Sequence, residues 1–344
     1  MKMVASKVVQ LFYRSDGEPM EVYPHFCFDG GMINALGAPC LSNGLTLLEQ
    51  MKRKPDSKVC FCRTFALGDI LVLTPIFNWL KDEYPACQIV LATSPVFLSL
   101  FRYWDAVETI EKRMILHSDY DIGYCLDGIV EQDHQGDEKS YKHRTDIYCE
   151  FLGIPVPKDP IFSLPYGEDE KQWAEGIIGA FREPEKPVVV VQLSGTMWFN
   201  SFPFEKAIRI GDELSKVCSV IMVHNFKQDI KIKGICNLTG QTTFHEAVAL
   251  IDSADVAVTM DSGPLWIAHC TKTPIIAMFG HTRAKEKMVH HRNYHSIDLA
   301  EMVGCESCFG RPTKCNGAAD CLTKSDEKEI TKRIRDGIRR FVYE

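Results

Sequence analysis

The stretch that most constrains the fold lies near the C-terminal end, between Asp255 and Gly280. It opens with a β-branched run at 256–259, which is too short for a helix and suits a buried parallel strand. Asp261-Ser262-Gly263-Pro264 then supplies polar caps, a glycine and a proline that the first turn of a helix tolerates. A second apolar run follows at 274–279. The order strand, turn, helix, strand predicts one unit of an α/β sheet, with backbone N–H groups at the turn free to bind an anion such as phosphate.

An earlier α/β series begins at residue 58. Apolar strands are predicted there at 59–62, 88–92, 107–110 and 120–126. Pro75 falls inside the first intervening helix, so we expect a kink or a late helix start. Strands that alternate with helices indicate a parallel, doubly wound sheet of the Rossmann type. The proline-bearing segment 183–187 separates this series from the later one, which predicts two such domains.

The predicted domains are residues 1–58 (a β-rich N-terminal extension), 59–182, 183–324, and 325–344 (a C-terminal helix). The extension is expected to hold a hairpin of strands 8–13 and 20–28, because Asp16-Gly17 is a typical hairpin turn. A short helix is expected at 96–101 in the first Rossmann-like domain.

Composition narrows the class of partner. The 344 residues carry a formal net charge of −7, which argues against a nucleic-acid-binding surface. No apolar run approaches the roughly 20 residues of a membrane span, and the apolar core at the N-terminus is too short for a signal peptide. Most of the 14 cysteines stand singly in apolar strands, as Cys60, Cys62, Cys125 and Cys218 do. Thiols of this kind are typical of a reducing compartment, so we predict a cytoplasmic protein.

Two motifs, one in each predicted Rossmann-like domain, suit an enzyme that binds a nucleotide sugar between them. The first motif is Arg63-x4-Gly68-Asp69 and the second motif is Asp261-Ser262-Gly263-Pro264. Through these two motifs and several further segments, the sequence resembles glycosyltransferase family 9, the ADP-heptose transferases of lipopolysaccharide synthesis. The resembling residues are 63–69, 74–75, 84–85, 120–121, 143–146, 152–153, 238–240, 245–247, 254–264, 273–274 and 279–280. The resemblance implies a GT-B fold, in which two Rossmann-like domains face each other across a cleft and the C-terminal helix crosses back to the first.

Inverting glycosyl transfer needs a base for the proton of the acceptor hydroxyl. Asp69 lies next to a glycine where the first strand ends, a position suited to that base, and the resemblance implies the same role. A helix N-cap is the alternative interpretation. Arg63 either binds an acceptor charge or the diphosphate, or forms a structural ion pair, and the sequence favours neither.

The second motif is the candidate donor site. Ser262 and Gly263 are expected to bind the diphosphate through backbone N–H groups and the serine hydroxyl, without a metal, while Asp261 accepts hydrogen bonds from sugar hydroxyls. The alternative is a plain helix start. Weaker donor-binding candidates in glycine turns are Thr239, Gly240 and Ser194.

The sequence departs from the family at three places. Asn200 stands where the family often has a lysine near the phosphates, Trp266 replaces a histidine, and His281 replaces a proline. Arg283, Lys285 and Lys287 are candidates for the missing positive charge, and an exposed basic loop is the alternative.

Four cysteines cluster near the C-terminus as Cys305-x2-Cys308-x6-Cys315-x5-Cys321. This spacing predicts one tetrahedral structural ion, iron or zinc, and four ordinary buried thiols are the alternative. The resemblance adds that a subgroup modifying autotransporter proteins binds iron at such a group and has an extra N-terminal domain. His290, His291 and His295 form a looser group, which is expected to lie in a loop that is plain surface or adjacent to the nucleotide.

The sequence thus predicts an inverting glycosyltransferase whose chemistry needs no metal. It would transfer a sugar, expected to be heptose from ADP-heptose, to a hydroxyl of a lipopolysaccharide or a protein, and it could form an oligomer. Two alternatives remain: a catalytically inactive nucleotide-sugar binding module, and a glycosyltransferase that acts on another polymer.

Overall fold

A computed structural model describes residues 12–13, 19–20, 45–111, 119–130, 142–195, 197–291, 293–308, 315 and 317–344. Most of the predicted hairpin at 8–13 and 20–28 lies outside these residues. Within them, Phe12–Tyr13 (β1) pairs antiparallel with Pro19–Met20 (β2), Phe12 opposite Met20.

The first large sheet has four parallel strands in the order β5-β4-β3-β6. They are β3 (Lys58–Cys62), β4 (Gln88–Thr93), β5 (Val107–Glu111) and β6 (Ile122–Cys125). The accompanying helices are α1 (Leu47–Arg53), α2 (Leu67–Leu71), α3 (Thr74–Glu83), α4 (Arg144–Leu152) and α5 (Glu168–Phe181). The apolar runs of β3 and β6 are buried, as expected of parallel strands covered on both faces. A 3-10 turn at Pro95–Phe97 takes the place of the helix expected at 96–101.

The second large sheet has six parallel strands in the order β12-β11-β10-β7-β8-β9. They are β7 (Val188–Gln192), β8 (Ser219–Met222), β9 (Ile235–Asn237), β10 (Val256–Met260), β11 (Ile275–Phe279) and β12 (Tyr294–Asp298). Its helices are α6 (Phe204–Ser215), α7 (Phe244–Asp252), α8 (Gly263–His269), α9 (Ala284–Lys287), α10 (Asp320–Thr323) and α11 (Glu327–Tyr343). Counted along the chain, the strand order is the 3-2-1-4-5-6 of a Rossmann sheet. The predicted pair of doubly wound sheets is therefore confirmed.

Two expectations need correction. His295 lies on β12, where it pairs with Ile276, and not in a surface loop. The predominant contacts of the C-terminal helix α11 are with α6 and with β10, β11 and β12 of the second sheet. It therefore packs on the second sheet, where the resemblance had implied a crossing to the first.

The two halves of the chain meet through helices. Helix α2 of the first half packs on α8 of the second, and α5 packs on α7. Between α2 and α8, the backbone of Gly68 lies against the ring of Trp266, which is 3% exposed. This contact joins the first motif directly to the helix that follows the second motif. Among the described residues, no helix is long and apolar enough to cross a membrane.

Candidate active site where the two sheets meet

Both motifs follow strands at a point where the strand order reverses. In the first sheet this point lies between β3 and β6, and in the second it lies between β7 and β10. Arg63 directly follows β3, and Asp261 directly follows β10. Ligands of open α/β sheets bind in the crevice at such points, beyond the carboxyl ends of the strands. The topology therefore brings both predicted site motifs to the binding edges of their sheets.

Asp69 lies in α2, is 3% exposed, and is held by two arginines. Its Oδ2 accepts a hydrogen bond from Arg63 Nη2, and its Oδ1 accepts one from Arg144 Nη1. The N-cap of α2 is Ala66, with a φ of 63°, and not Asp69. An alanine in this left-handed region is strained, and such strain is found most often at functional sites. The carboxylate of Asp69 is thus part of a charge network and does not cap its helix.

Charge controls the ionisation of Asp69. Burial raises its pKa, but Arg144, Arg63 and Lys287 outweigh burial and hold the pKa below its ordinary value. The side chain is therefore a carboxylate at neutral pH, which is the state that a general base must have before it accepts a proton.

Arg63 is itself fully packed, at 1% exposed. Besides Asp69, its Nη1 donates to the backbone carbonyl of Leu126 at 3.1 Å and lies 3.9 Å from Asp127 Oδ1. Asp127 in turn accepts hydrogen bonds from the backbone and the hydroxyl of Thr64. These contacts bind the carboxyl ends of β3 and β6 together and fit the ion-pair interpretation of Arg63.

Asp261 is the corresponding buried carboxylate of the second sheet, at 8% exposed. Its Oδ2 accepts a hydrogen bond of 2.6 Å from the hydroxyl of Thr282, and the Asn200 side chain donates to its backbone carbonyl at 3.2 Å. Burial raises its pKa, while Lys287, His281, the Thr282 hydrogen bond and Arg144 together hold the pKa below its ordinary value. Asp261 and Asp69 therefore lie near the same two cations, Lys287 and Arg144, and form one charged cluster across the two halves.

The remaining residues of the second motif lie beside Asp261. Ser262 is the N-cap of α8 and donates its hydroxyl hydrogen to Gln192 Oε1 at 3.0 Å. Gly263 begins α8 and faces Leu67 of the first motif. This turn is thus tied to β7 on one side and to α2 on the other.

The weaker candidates for binding the sugar donor form hydrogen bonds with other residues of the chain. The Thr239 hydroxyl accepts from the Gln228 backbone N–H at 2.8 Å and donates to Asn237. Gly240 takes a φ of +66° and closes the turn by donating to the His224 carbonyl. Ser194 is 8% exposed, and its carbonyl accepts from the Gln192 amide.

The three candidate cations that follow β11 have different surroundings. Arg283 pairs with Asp298 at 3.0 Å and donates to the Cys305 carbonyl at 3.1 Å. Lys285 is exposed, as the basic-loop interpretation expects. Lys287 is 4% exposed and lies near both Asp69 and Asp261.

Sequence reasoning had assigned no role to several residues of this cluster. Arg144 belongs to the resembling segment 143–146 without an assigned role, and Thr282 belongs to none of the predicted motifs. Arg144 lies 75 positions from Asp69, and Thr282 lies 21 positions from Asp261. The only sequence signal for Arg144 was its place in a resembling segment, and we find none for Thr282.

Histidines connect the two halves beside this cluster. His290 Nε2 lies 2.6 Å from Asp146 Oδ1, and its ring centroid lies 4.7 Å from that of His143. These three residues present possible metal-ligand atoms within 4.8 Å of one another. The Nδ1 of His143, however, accepts a hydrogen bond from the Thr145 backbone and caps α4. Burial, followed by the nearby His290, lowers the pKa of His143 well below its ordinary value.

The four C-terminal cysteines lie near one another. Cys321 is 8% exposed, and burial together with Cys308, Cys305 and Cys315 raises its pKa to about 11. The pKa of Cys315 is lowered, chiefly by backbone N–H groups of Asp320, Gly317 and Ala319 that favour its thiolate. Within the described residues, no three of the four sulphur atoms lie within 4.8 Å of one another. The four thiols therefore lie near one another, though not at the spacing of a filled metal site.

Comparison with known proteins identifies sequence relatives of this chain. A profile described as glycosyltransferase family 9 (heptosyltransferase) matches residues 220–318. Lipopolysaccharide heptosyltransferase 3 of Escherichia coli (strain K12) is 42% identical over 275 aligned residues, covering 62% of this chain and 80% of that protein.

Solved structures share the fold. A family 9 glycosyltransferase from Veillonella parvula DSM 2008 superposes with a TM-score of 0.62 at 12% identity, over 83% of this chain and 98% of that one. The iron-containing dodecameric glycosyltransferase TibC from enterotoxigenic E. coli H10407 gives 0.61 at 15% identity, over 83% and 79%. TibC has also been solved in complex with ADP-D-beta-D-heptose.

Proposed function

The chain belongs to glycosyltransferase family 9 (heptosyltransferase), and on that premise we propose that it transfers a heptose from ADP-heptose with inversion to an acceptor hydroxyl. The sequence prediction of a GT-B glycosyltransferase is confirmed by this membership and by the two Rossmann-type sheets. The donor is proposed because a 42% identical relative is a heptosyltransferase and because TibC binds ADP-heptose.

One observation carries the proposal: Asp69 of the first motif and Asp261 of the second lie near the same two cations, the buried Lys287 and the half-buried Arg144. We infer from this shared electrostatic environment that a single small molecule touches both motifs. In the proposed arrangement, residues 59–182 supply the acceptor side and residues 183–324 the donor side.

In the proposed reaction, Asp69 accepts the proton of the acceptor hydroxyl while the oxygen forms a bond to C1 of the sugar. The bond between C1 and the diphosphate oxygen breaks, and its electron pair leaves with the nucleoside diphosphate. Arg63 and Arg144 keep Asp69 ionised before the reaction. Asp261 accepts hydrogen bonds from sugar hydroxyls, and the backbone N–H groups at Ser262 and Gly263 are directed at the diphosphate.

For the acceptor, we propose a saccharide hydroxyl of lipopolysaccharide, in line with the E. coli relative. A protein hydroxyl is the competing acceptor, and the assay below distinguishes the two. We also propose a cytoplasmic location, which is supported by the buried thiols of Cys87, Cys149 and Cys218. Burial raises the pKa of these groups to about 11, 12 and 11, and leaves the thiols protonated.

We further propose that the cysteines at 305, 308, 315 and 321 bind one structural iron or zinc ion. Four thiolates form a donor set that suits either ion. Backbone N–H groups directed at Cys315 and the mutual proximity of the four thiols support this assignment. Metal binding would draw the sulphur atoms together and connect the segment after β12 to α10.

The test of the function compares the wild type with Asp69→Ala, and with Asp229→Ala as an exposed control. Purified protein is incubated with ADP-heptose and either a lipopolysaccharide core acceptor or a candidate acceptor protein, and released ADP is measured. We expect transfer by the wild type and the control, and a loss of about 10²–10⁴-fold with Asp69→Ala while ADP still binds.

Full transfer activity of Asp69→Ala would show that Asp69 is not the base. ADP-heptose binding without transfer to either acceptor would favour the inactive binding module. Transfer only to the protein would replace the lipopolysaccharide acceptor.

A further inference from the structure

Lys287 is a buried cation at the point where the two motifs meet. It is 4% exposed on α9, and its neighbours Glu286 and Met288 are also buried. Within the part of the chain that the structure describes, its ammonium makes no direct hydrogen bond or ion pair. Taking an ammonium out of water without a direct counterion destabilises a fold, so a cation kept in this way points to a ligand of opposite charge.

The charged groups around Lys287 come from both halves of the chain. Burial lowers its pKa, and Arg144 lowers it further, while Asp261, Asp69 and Glu286 raise it. The ammonium is thus within electrostatic range of the carboxylates of both motifs. A donor that touches both carboxylates would therefore come near this ammonium.

The arginines Arg63, Arg144 and Arg283, by contrast, already have direct partners. Arg63 and Arg144 both donate to the Asp69 carboxylate. Arg283 pairs with Asp298 and donates to the Cys305 carbonyl. Binding a diphosphate with any of these three would break existing contacts, whereas Lys287 can bind one without doing so.

We propose that Lys287 binds the diphosphate of the nucleotide-sugar donor and receives its charge as the sugar leaves. This inference rests on the function proposed above and identifies the residue that stabilises the leaving group. As the C1–oxygen bond breaks, the electron pair passes to the phosphate oxygen that faces the ammonium, and no proton is needed there. The acceptor proton goes to Asp69, so the charges balance within the site.

The buried setting makes this ion pair effective. Charge attraction is stronger in a water-excluded site than in solution, and a positioned cation needs no reorganisation during the reaction. Lys287 also offsets Asp69 and Asp261, whose carboxylates would otherwise repel a diphosphate. The same ammonium thus allows two anionic residues to lie beside an anionic substrate.

The test compares the affinities of ADP and adenosine, because only ADP carries the phosphates. Calorimetry is done on the wild type, Lys287→Met, Lys287→Arg and Lys285→Met, with the exposed Lys272→Met as matched control. We expect Lys287→Met to lose at least about tenfold in ADP affinity while its adenosine affinity stays unchanged. Lys287→Arg should keep part of the preference for ADP over adenosine. Lys285→Met and Lys272→Met should bind ADP like the wild type.

An unchanged ratio of ADP to adenosine affinity in folded Lys287→Met overturns the proposal. A loss in Lys285→Met in place of Lys287→Met also overturns it. If Lys287 had only a structural role, Lys287→Met would bind both ADP and adenosine more weakly. That result would also contradict the proposal.

The wild type alone offers a second measurement, should Lys287→Met fail to fold. The preference for ADP over adenosine should fall as Lys287 loses its proton, at a lower pH than an ordinary lysine would, because burial lowers its pKa. A preference that stays constant throughout the alkaline range would contradict the proposal. The titratable or charged groups that face Lys287 are Asp69, Asp261, Glu286, Arg144, His143, His269 and His281. None of these changes its charge in the alkaline range, so they cannot imitate the effect.

The two proposals can fail separately. Lys287-dependent ADP binding without sugar transfer from ADP-heptose would support the phosphate site and reject the proposed reaction. Sugar transfer with unaltered ADP binding in Lys287→Met would support the reaction and reject the phosphate site.

Discussion

The ring of Trp266 lies directly against Gly68, so that a Cβ at position 68 would come within 2.3 Å of the Trp266 Cδ1 atom. The ring cannot easily move aside, because it is 3% exposed and packs against His143 and His269. The absence of a side chain at position 68 therefore sets how closely α2 and α8 approach each other. That approach positions Asp69 relative to Asp261.

Gly68→Ala should consequently disturb the junction of the two halves. We expect it to lower the free energy of unfolding by about 1–3 kcal/mol, as overpacking does, and to lower kcat/KM. The matched control is Gly176→Ala on the exposed face of α5, where an added Cβ meets nothing within 4 Å. The control should stabilise the protein by about 0.5–1 kcal/mol in the same urea titration. Equal stability of the two variants would contradict the steric argument.

Arg144→Gln should move the acid limb of the pH profile. After burial, which acts in the opposite direction, Arg144 is the largest influence on Asp69, and it holds the pKa of that carboxyl down. Without the guanidinium the pKa rises, so Asp69 becomes protonated at a higher pH and activity is lost earlier on acidification. The measurement is kcat/KM against pH, with exposed Arg339→Gln as control. An acid limb that stays in place would show that Asp69 is not the group whose ionisation limits the rate.

The cysteine cluster makes a prediction about metal content. Wild-type protein should contain about one equivalent of iron or zinc by elemental analysis, and Cys308→Ser or Cys321→Ser should lose most of it. Cys236→Ser, a half-buried thiol on β9, is the control and should keep the metal. Removal of the ion by a chelator should lower Tm, because the ion connects residues before and after the 309–314 segment. A wild-type content below about 0.1 equivalent would reject the site.

The local sequence was enough to predict most of the helices and strands. Pro75 was expected to kink a helix or delay its start, and the chain ends α2 at Leu71 and begins α3 at Thr74 with the proline in the first turn. A proline is tolerated there because its missing N–H would have no helical partner in any case.

Two strands escaped prediction for the same physical reason. β9 and β12 are the edges of the second sheet, and neither is a continuous apolar run. β12 reads Tyr-His-Ser-Ile-Asp and buries only Ile297 fully. Without a buried pattern on both faces, nothing local distinguished it from a histidine-bearing loop.

The site was found only in part, because charge networks are assembled by tertiary structure. Asp69 and Asp261 belong to motifs with a recognisable backbone setting, whereas Arg144 joins Asp69 from a helix 75 positions away. The run Ala284-Lys-Glu-Lys287 looks solvated in sequence, and Lys285 is indeed exposed, yet Lys287 is buried. One helical segment thus carries an exposed and a buried lysine two positions apart.

The paired arginines on Asp69 have a consequence for how the enzyme treats its donor. Both carboxylate oxygens of Asp69 already accept hydrogen bonds from charged arginine side chains, so Asp69 is a weak base toward a water molecule in the site. An acceptor must displace or reorient a guanidinium before its hydroxyl can be activated. The enzyme should therefore hydrolyse little ADP-heptose when no acceptor is present. Free heptose should accumulate far more slowly without acceptor than transfer product does with it.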